Sequence, residues 1–309
     1  MKNSEVLKVQ RNIGNRKIKD SWIHIVMFIW MLMCILPFLL VVAVSFTDES
    51  TLNIYGYRFI PKMFSLEAYE YLFKNPVSII RGYAITIFTC IVGTAIGIIM
   101  TSMMAYVLSR KDYPGRRILN IYTVVTMLFN GGLVPWYLVF TNVFDFKDSM
   151  LALIIPNMLV GGFNIIVMRT FFTNTVPDSI IESAYIDGAG EFLIYRKIIL
   201  PLSLPVVAAI SFMTILGYWN NWYNSMVFIN DPEMYSLQYL MTRAILNLQA
   251  LKAAVQAGGT AEQAAILADM PSNSVRMAMA VVGTGPMVFL FPFAQKYFVQ
   301  GLTVGAVKG

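Results

Sequence analysis

The sequence predicts an all-α integral membrane protein with six transmembrane helices. Of its 309 residues, 57% are hydrophobic and only 13% are charged, which is too apolar a composition for soluble domains. Six segments hold the roughly 20 apolar residues that a helix needs to cross a bilayer core of about 30 Å. These segments are Trp22–Phe46, Ile79–Leu108, Ile118–Phe140, Met150–Phe172, Leu204–Ile229 and Met277–Phe298.

The charge distribution predicts that both termini lie in the cytoplasm. An even number of spans puts the termini on one side, and with that side inside, most of the 23 basic residues flank inner span ends. A membrane therefore accounts for the net charge of +6, and we expect no nucleic-acid partner. Residues 1–21 are predicted to be a cytoplasmic tail and residues 22–309 the transmembrane domain.

Two segments between the spans are predicted to be external loops. Residues 47–78 are mixed and aromatic, with a short helix expected around Leu66–Phe73. Residues 230–275 are long enough to suggest a functional loop, with helices expected at Leu237–Leu251 and Ala261–Asp269. Cys34 and Cys90 lie inside spans, so we predict neither a disulfide framework nor a metal site.

The third and fourth spans contain helix-breaking residues together with amides. Asn130-Gly131-Gly132 interrupts the third span, and Pro156 and Gly161-Gly162 interrupt the fourth, which also carries Asn164. A helix broken at membrane depth is tolerated only where it faces protein or a water-filled cavity. Asn130 and Asn164 are therefore candidate contacts of a transported substrate, and the alternative is that each amide hydrogen-bonds a neighbouring helix.

The outer end of the fifth span alternates aromatic rings with amides. Its candidate substrate contacts are Tyr218, Trp219, Asn220, Trp222, Tyr223 and Asn224. Tryptophan and tyrosine also gather at membrane interfaces with no further function. Amides gain little from lipid, however, and rings with nearby amides suit the apolar faces and hydroxyls of a sugar.

Residues 176–205 differ from the lipid-facing segments because they are charged and interrupted by glycine. Pro177 suits a first helical turn, and Asp178 and Glu182 lie toward the positive end of a predicted amphipathic helix of about ten residues. Asp187-Gly188-Ala189-Gly190 ends that helix, and a second short helix is expected over Glu191–Leu200. Such a short helix is marginal alone, so it must dock on a partner or lie on the membrane surface.

Several residues of this segment match a known motif. Glu182-Ser183-Ala184, Asp187-Gly188-Ala189, Tyr195 and the L-P-L-x-x-P run from Leu200 resemble the EAA loop of binding-protein-dependent ABC importer permeases. The departure in the leading triplet is serine for alanine at Ser183. The resemblance extends to Trp219–Trp222 and to Gln295–Gly301, and it indicates the maltose-type carbohydrate-uptake-1 family. The run Asn130–Pro135 is most similar to the subgroup for complex oligosaccharides.

The resemblance implies a type I ABC importer permease fold in a bacterial cytoplasmic membrane, with a cytoplasmic coupling helix that docks on an ATPase subunit. It also implies a second, usually different, permease and an external sugar-binding lipoprotein that delivers the oligosaccharide. The residues it assigns to ATPase coupling are Glu182, Ser183, Ala184, Asp187, Gly188, Ala189 and Pro201. The chain contains no G-x-x-x-x-G-K-[ST] phosphate loop, so ATP and Mg²⁺ are expected on the ATPase and no cofactor on this chain.

Three other classes fit the sequence less well. An ion-coupled secondary transporter needs ionisable groups near the membrane midplane, and the predicted spans contain neither Asp nor Glu. A membrane enzyme needs a catalytic cluster, and the chain has a single histidine, His24, and no H-E-x-x-H motif. A structural scaffold has no need of broken helices with amides.

Overall fold

The computed structural model describes residues 2–156, 160–260 and 272–306, and their regular structure is helical apart from an isolated bridge between Thr47 and Phe64. The α-helices are α1 Lys2–Ser45, α2 Glu49–Tyr55, α3 Glu67–Leu72, α4 Pro76–Ser109, α5 Arg116–Leu128, α6 Leu133–Leu138, α7 Met150–Ile154, α8 Gly162–Thr175, α9 Asp178–Ile186, α10 Glu191–Ile194, α11 Leu200–Leu202, α12 Leu204–Trp219, α13 Tyr223–Phe228, α14 Leu237–Gln256 and α15 Ser272–Ala306. Val139–Val143 and Tyr195–Ile199 are π-helical, and Pro232–Met234 is a 3₁₀ turn.

One compact unit comprises Met1–Lys74 and Lys252–Val282. In this unit the Ser45 hydroxyl lies 2.8 Å from the Tyr69 hydroxyl, which ties α1 to α3. The Glu49 carboxylate accepts hydrogen bonds from the backbone N–H groups of Asn273 and Ser274, each at 2.9 Å. A carboxylate at the N-terminus of α15 satisfies donors that have no partner within the helix.

The second compact unit comprises Asn75–Leu251 and Gly283–Gly309, and α4 is its central helix. Helices α8 and α12 pack along α4. At Gly93, a Cβ atom would lie 2.3 Å from Cζ of Tyr218, so the missing side chain makes room for the Tyr218 ring of α12 against α4. A small residue here therefore serves the packing of these two helices.

Three described helices are long and apolar enough to cross a membrane: Trp22–Ser45, Pro76–Ser109 and Ser272–Phe293. Two bent pairs, at 114° for Arg116–Leu128 with Leu133–Val143 and at 82° for Glu191–Leu202 with Leu204–Trp219, raise the total to as many as five. The fourth predicted span includes residues 157–159, which lie outside the described residues. The count of six therefore stays a prediction.

The predicted break in the third span is confirmed, because α5 ends at Leu128 and α6 begins at Leu133. The predicted fifth span, Leu204–Ile229, is wrong as one continuous helix. It stops at Trp219 and restarts at Tyr223. The Asn221 side chain, which lies between the two helices, accepts a hydrogen bond from the Asn224 N–H in the first turn of α13 at 3.1 Å.

The short helix predicted near Leu66–Phe73 is confirmed as α3, Glu67–Leu72. The helix expected over Leu237–Leu251 is longer than predicted and reaches Gln256. The Ala261–Asp269 helix falls outside the described residues. The tail predicted for residues 1–21 is continuous in its backbone with the first predicted span, because α1 runs from Lys2 to Ser45.

Candidate functional site

The short amphipathic helix predicted after Pro177 is confirmed as α9, Asp178–Ile186. Its inner face buries Ile181 and Ala184, whereas Glu182 is exposed and Ile186 is 87% exposed. Glu182 makes no hydrogen bond or ion pair with any part of the chain that the structure describes. Helix α9 thus packs on its own chain with one face and presents the other outward.

Gly188 ends α9 in a left-handed conformation, with φ of +80°. Its N–H donates to the Tyr185 carbonyl and the Ala189 N–H donates to the Ala184 carbonyl, both at 2.9 Å. This pair of bonds is the Schellman arrangement, which satisfies carbonyls that a helix end leaves without partners. No heavy atom lies within 4 Å of a Cβ built on Gly188, so backbone conformation and not space selects glycine here.

A carboxylate in the same segment joins it to the end of α4. Glu191, the first residue of α10, accepts hydrogen bonds from the hydroxyls of Tyr106 on α4 and Tyr185 on α9. The Arg110 guanidinium in turn donates to the Tyr185 hydroxyl at 3.1 Å. Burial and the bond to Glu191 raise the pKa of Tyr185, so its phenol stays protonated and able to donate.

Three further contacts attach the segment to α4 and the residues that follow it. The Ser102 hydroxyl lies 2.7 Å from the Tyr195 hydroxyl, and the Tyr195 ring lies 5.5 Å from the ring of Tyr106. Lys111 donates to Asp178 at 2.7 Å, and this hydrogen bond lowers the pKa of the Asp178 carboxyl. The segment is therefore attached at Asp178, Tyr185, Glu191 and Tyr195 to α4 and to the two residues that follow it.

Sequence patterns do not reveal the residues at the end of α4 that form this attachment, namely Ser102, Tyr106 and Arg110, or the role of Glu191. The feature of the sequence that could predict polar contacts here is the presence of Ser102 and Tyr106 near the basic end of an otherwise apolar span. Polar groups at such a position need hydrogen-bond partners. That signal does not say which residues the partners are. Of the residues in this attachment, Tyr195 belongs to the motif, and the motif does not predict its contact with Ser102.

The seven residues assigned to ATPase coupling fall into two groups. Glu182, Ser183, Asp187, Gly188 and Pro201 are exposed. Ala184 is buried and Ala189 is half-buried, and both are contacts of the loop with its own chain. Pro201 lies on α11, beyond the π-helical turn. The coupling role of these residues stays a prediction.

Three residues of the predicted substrate path are buried within the chain. The Tyr218 hydroxyl donates to the Ile154 carbonyl at 2.8 Å, and the Trp219 indole donates to the Gly283 carbonyl at 2.7 Å. The Asn224 amide donates toward the Pro156 carbonyl at 3.3 Å. In this chain, these side chains fasten α12 and α13 to neighbouring helices, and their contact with substrate stays a prediction.

The other predicted path residues are more accessible. Asn130, Asn220 and Trp222 are exposed, and Asn164 and Tyr223 are half-buried. Asn130 uses its Oδ1 to accept the Gly132 N–H at 2.9 Å, and this bond shapes the break between α5 and α6. The aromatic–amide run is thus divided between a buried structural part and an accessible part.

An apolar cavity of about 430 Å³ lies beside the buried part of this run. Its lining residues are Ile87, Cys90, Ile91, Thr94, Ala95, Ile215, Trp219, Met287 and Leu290. A sugar in such a cavity would leave most of its hydroxyls without hydrogen-bond partners. The accessible residues are therefore better placed for polar recognition than this cavity is.

Three features define the class of this protein as a helical membrane subunit that works with other proteins. They are the long apolar helices, the broken span with an amide at the break, and the short helix fastened to one span by its inner face. The match to a family model agrees with that class. The chain belongs to the family described as binding-protein-dependent transport system inner membrane component, whose model matches residues 93–304.

Known relatives cover almost the whole chain. The polygalacturonan/rhamnogalacturonan transport system permease protein YtcP of Bacillus subtilis (strain 168) is 36% identical over 290 residues, which are 94% of this chain and 98% of that protein. Protein LplC of the same organism is 36% identical over 275 residues, 89% of this chain and 90% of that protein. The chain is also similar to a chain in the crystal structure of a bacterial ABC transporter involved in the import of the acidic polysaccharide alginate. The two chains superpose with a TM-score of 0.77 and are 26% identical, and the match covers 91% of this chain and 97% of the other.

Proposed function

We propose that this chain is a permease subunit of an ATP-driven importer that takes up oligosaccharides delivered by an extracytoplasmic binding protein. Membership of the binding-protein-dependent family and the likeness to the alginate importer support this proposal. The relative named for polygalacturonan/rhamnogalacturonan transport supports a substrate derived from a polysaccharide. An ion-coupled transporter, the main alternative, has no support from these likenesses.

The proposed topology has six spans, the third broken between α5 and α6, with both termini in the cytoplasm of a bacterial cell. This arrangement is the type I importer permease fold. It places the segment from Val176 to Pro205 on the cytoplasmic side, where the ATPase subunits lie. A second permease would complete the pathway, and ATP and Mg²⁺ would bind to the ATPase and not to this chain.

The observation that carries the proposal is the two-sided character of α9. Its inner face is held to α4 through Glu191, Tyr106 and Tyr185, whereas Glu182 and Ile186 face outward. A helix fixed to a span on one side and open on the other can pass the movement of a soluble subunit to the membrane helices. Such a rigid-body transfer is the step that alternating access requires.

A charged substitution on the outer face tests this function. Ile186→Asp should leave the chain folded, because Ile186 is 87% exposed, but should prevent the ATPase from co-purifying and abolish ATP-driven uptake in proteoliposomes. Ile60→Asp is the matched control, since Ile60 is 81% exposed on the proposed external loop. Normal ATPase binding and uptake by the Ile186→Asp importer would refute the proposed docking face.

The polar attachment has its own test. Tyr106→Phe removes one hydroxyl that donates to the Glu191 carboxylate. Hydrogen bonds to charged groups stabilise by about 1.5–3 kcal/mol, and the lower value applies here because the Glu191 side chain is half-exposed. We expect ATP hydrolysis to persist while uptake per ATP falls. Unchanged uptake per ATP would show that the bond does not transmit movement.

A further inference from the structure

The connection between α4 and α5 borders a cavity of about 790 Å³ that is rich in cationic side chains. Three of its lining residues, Arg116, Arg117 and Arg169, are called the arginine cluster here. Two of them lie in the first turn of α5, and the third lies on α8. Sequence-distant residues thus bring three permanent positive charges to one cavity.

The arginine cluster is not neutralised by the chain itself. Asp112, which also lines the cavity, pairs with Arg110 at 3.2 Å, and Lys111 pairs with Asp178 at 2.7 Å. Among the side chains that the structure describes, in residues 22–156, 160–260 and 272–293, no carboxylate lies within ion-pair distance of the cluster. Three guanidinium groups without carboxylate partners give this cavity a positive potential, which favours an anionic ligand.

The cluster is held in place by a bridging amide. Asn120 accepts a hydrogen bond from Arg169 Nη1 at 2.7 Å and donates to the Arg116 carbonyl at 2.8 Å. Arg116 Nε donates to the Leu108 carbonyl at 3.0 Å, which leaves the terminal nitrogens of its guanidinium available. Arg169 Nε is buried and has no hydrogen-bond partner in the described part of the chain.

An apolar cleft of about 550 Å³ begins about one turn further along the same helices. Its lining includes Met103 and Val107 on α4, Tyr122 and Thr126 on α5, and Ile165 on α8. Ile165 precedes Arg169 by one turn of α8, and Tyr122 follows Arg117 on α5. A cationic cavity is therefore followed, away from the helix ends, by an apolar cleft.

We propose that the arginine cluster and this cleft form a binding site for one anionic phospholipid. The phosphate lies on the cluster, which bidentate guanidinium groups suit, and an acyl chain lies in the cleft. The outward face of α5 agrees with contact to lipid, since Ile118 and Leu128 are each 73% exposed. This inference does not depend on the coupling and transport functions proposed above, although Lys111 both lines the cavity and pairs with Asp178 of α9.

Thermal unfolding of the purified full-length chain in detergent tests the site, with dioleoyl phosphatidylglycerol as the added lipid. We expect saturable stabilisation by phosphatidylglycerol, and none at the same concentration from dioleoyl phosphatidylcholine or from glycerol 3-phosphate, which lacks acyl chains. Arg117→Gln should weaken the apparent affinity about fivefold, and Arg117→Gln combined with Arg169→Gln about 25-fold. Both losses should shrink at high salt.

Arg196→Gln is the control, because it removes one exposed cation from the π-helical turn without touching the cavity, and its affinity should match the parent chain. Arg117 is exposed and has no hydrogen bond in the described residues, so its single variant keeps the test valid if Arg169→Gln fails to fold. Equal affinities for the double variant and the control would overturn the proposal. Stabilisation by glycerol 3-phosphate equal to that by phosphatidylglycerol would show a free-anion site instead. A crosslinker at position 117 that captures another subunit of the assembled importer, in place of lipid, would also overturn it.

Discussion

Replacing Gly188 isolates the contribution of a single backbone conformation to the proposed coupling loop. A residue with a side chain at φ of +80° costs about 1–2 kcal/mol, and the open space around the position adds no steric penalty. Asparagine tolerates this region, alanine less so and valine least. The loss of coupling is therefore expected to be smallest for Gly188→Asn, larger for Gly188→Ala and largest for Gly188→Val. Gly188→Asp adds a charge beside Asp187 and should disrupt coupling as well.

Gly190 provides a matched control only two residues away. Its φ is −77° and no atom lies within 4 Å of an added Cβ, so Gly190→Ala brings no left-handed strain; alanine is only a poorer N-cap of α10, and the loss should be smaller than in Gly188→Ala. A loss of 1–2 kcal/mol corresponds to a roughly 5- to 30-fold drop in the population of the formed loop relative to a competing unwound state. Uptake and ATPase stimulation by the binding protein, both measured in proteoliposomes, should fall least in Gly188→Asn, more in Gly188→Ala and most in Gly188→Val.

Two results would refute this reasoning. Gly188→Val with uptake and ATPase stimulation equal to the parent importer would show that the helix end is not needed for coupling. An equal loss in Gly190→Ala and Gly188→Ala would show that the loss arises from adding any side chain to the loop. Thermal unfolding of each variant shows whether the effect is local to the loop or extends to the whole chain.

Three other substitutions test packing, substrate recognition and an external turn. Gly93→Ala should destabilise the chain by about 1–3 kcal/mol, because the new methyl group would overlap the Tyr218 ring; an unchanged unfolding temperature would contradict this. Trp219→Ala should lower the free energy of unfolding by about 3–5 kcal/mol, since the ring is 2% exposed. Asn220→Ala should change it by less than about 0.5 kcal/mol and weaken uptake. Equal stability losses in the two variants would contradict the division of this run into a buried and an accessible part. The pKa of Asp148 lies below its ordinary 3.8 because the Asn230 backbone N–H binds the carboxylate, so its stabilising effect is present above about pH 4 and lost as pH falls through the folded pKa. Asp148→Asn should remove that pH dependence in thermal unfolding measured between pH 3 and pH 7, and an unaltered dependence would argue against it.

Much of the local structure could be predicted from the sequence. The break at Asn130-Gly131-Gly132 and the short helix ending before Gly188 both depend on residue types with strong local preferences. The continuous fifth span was predicted wrongly because apolar residues continue past Trp219 to Ile229. There, α12 ends at Trp219 and α13 begins at Tyr223, and the Asn221 side chain accepts the Asn224 N–H at the start of the new helix. A count of apolar residues does not detect that break.

The polar contacts around α4 could not be predicted in the same way. Tyr106 and Glu191 are 85 positions apart, and the arginine cluster joins α5 to α8. Such contacts depend on how helices approach one another, which period and composition do not encode. The aromatic–amide run is a similar case, because only packing shows that Trp219 is buried while Asn220 is exposed.

By itself, the sequence determined the membrane class, the positions of the apolar segments, the resemblance to the importer permeases and the need for glycine at position 188. These properties follow from composition and from local backbone preference, which act over a few neighbouring residues. The tertiary structure alone decided that Glu191 fastens the loop to α4 and that three arginines share one cavity. It did so because hydrogen bonds and charges act over a few ångströms, and only the folded chain brings distant residues that close.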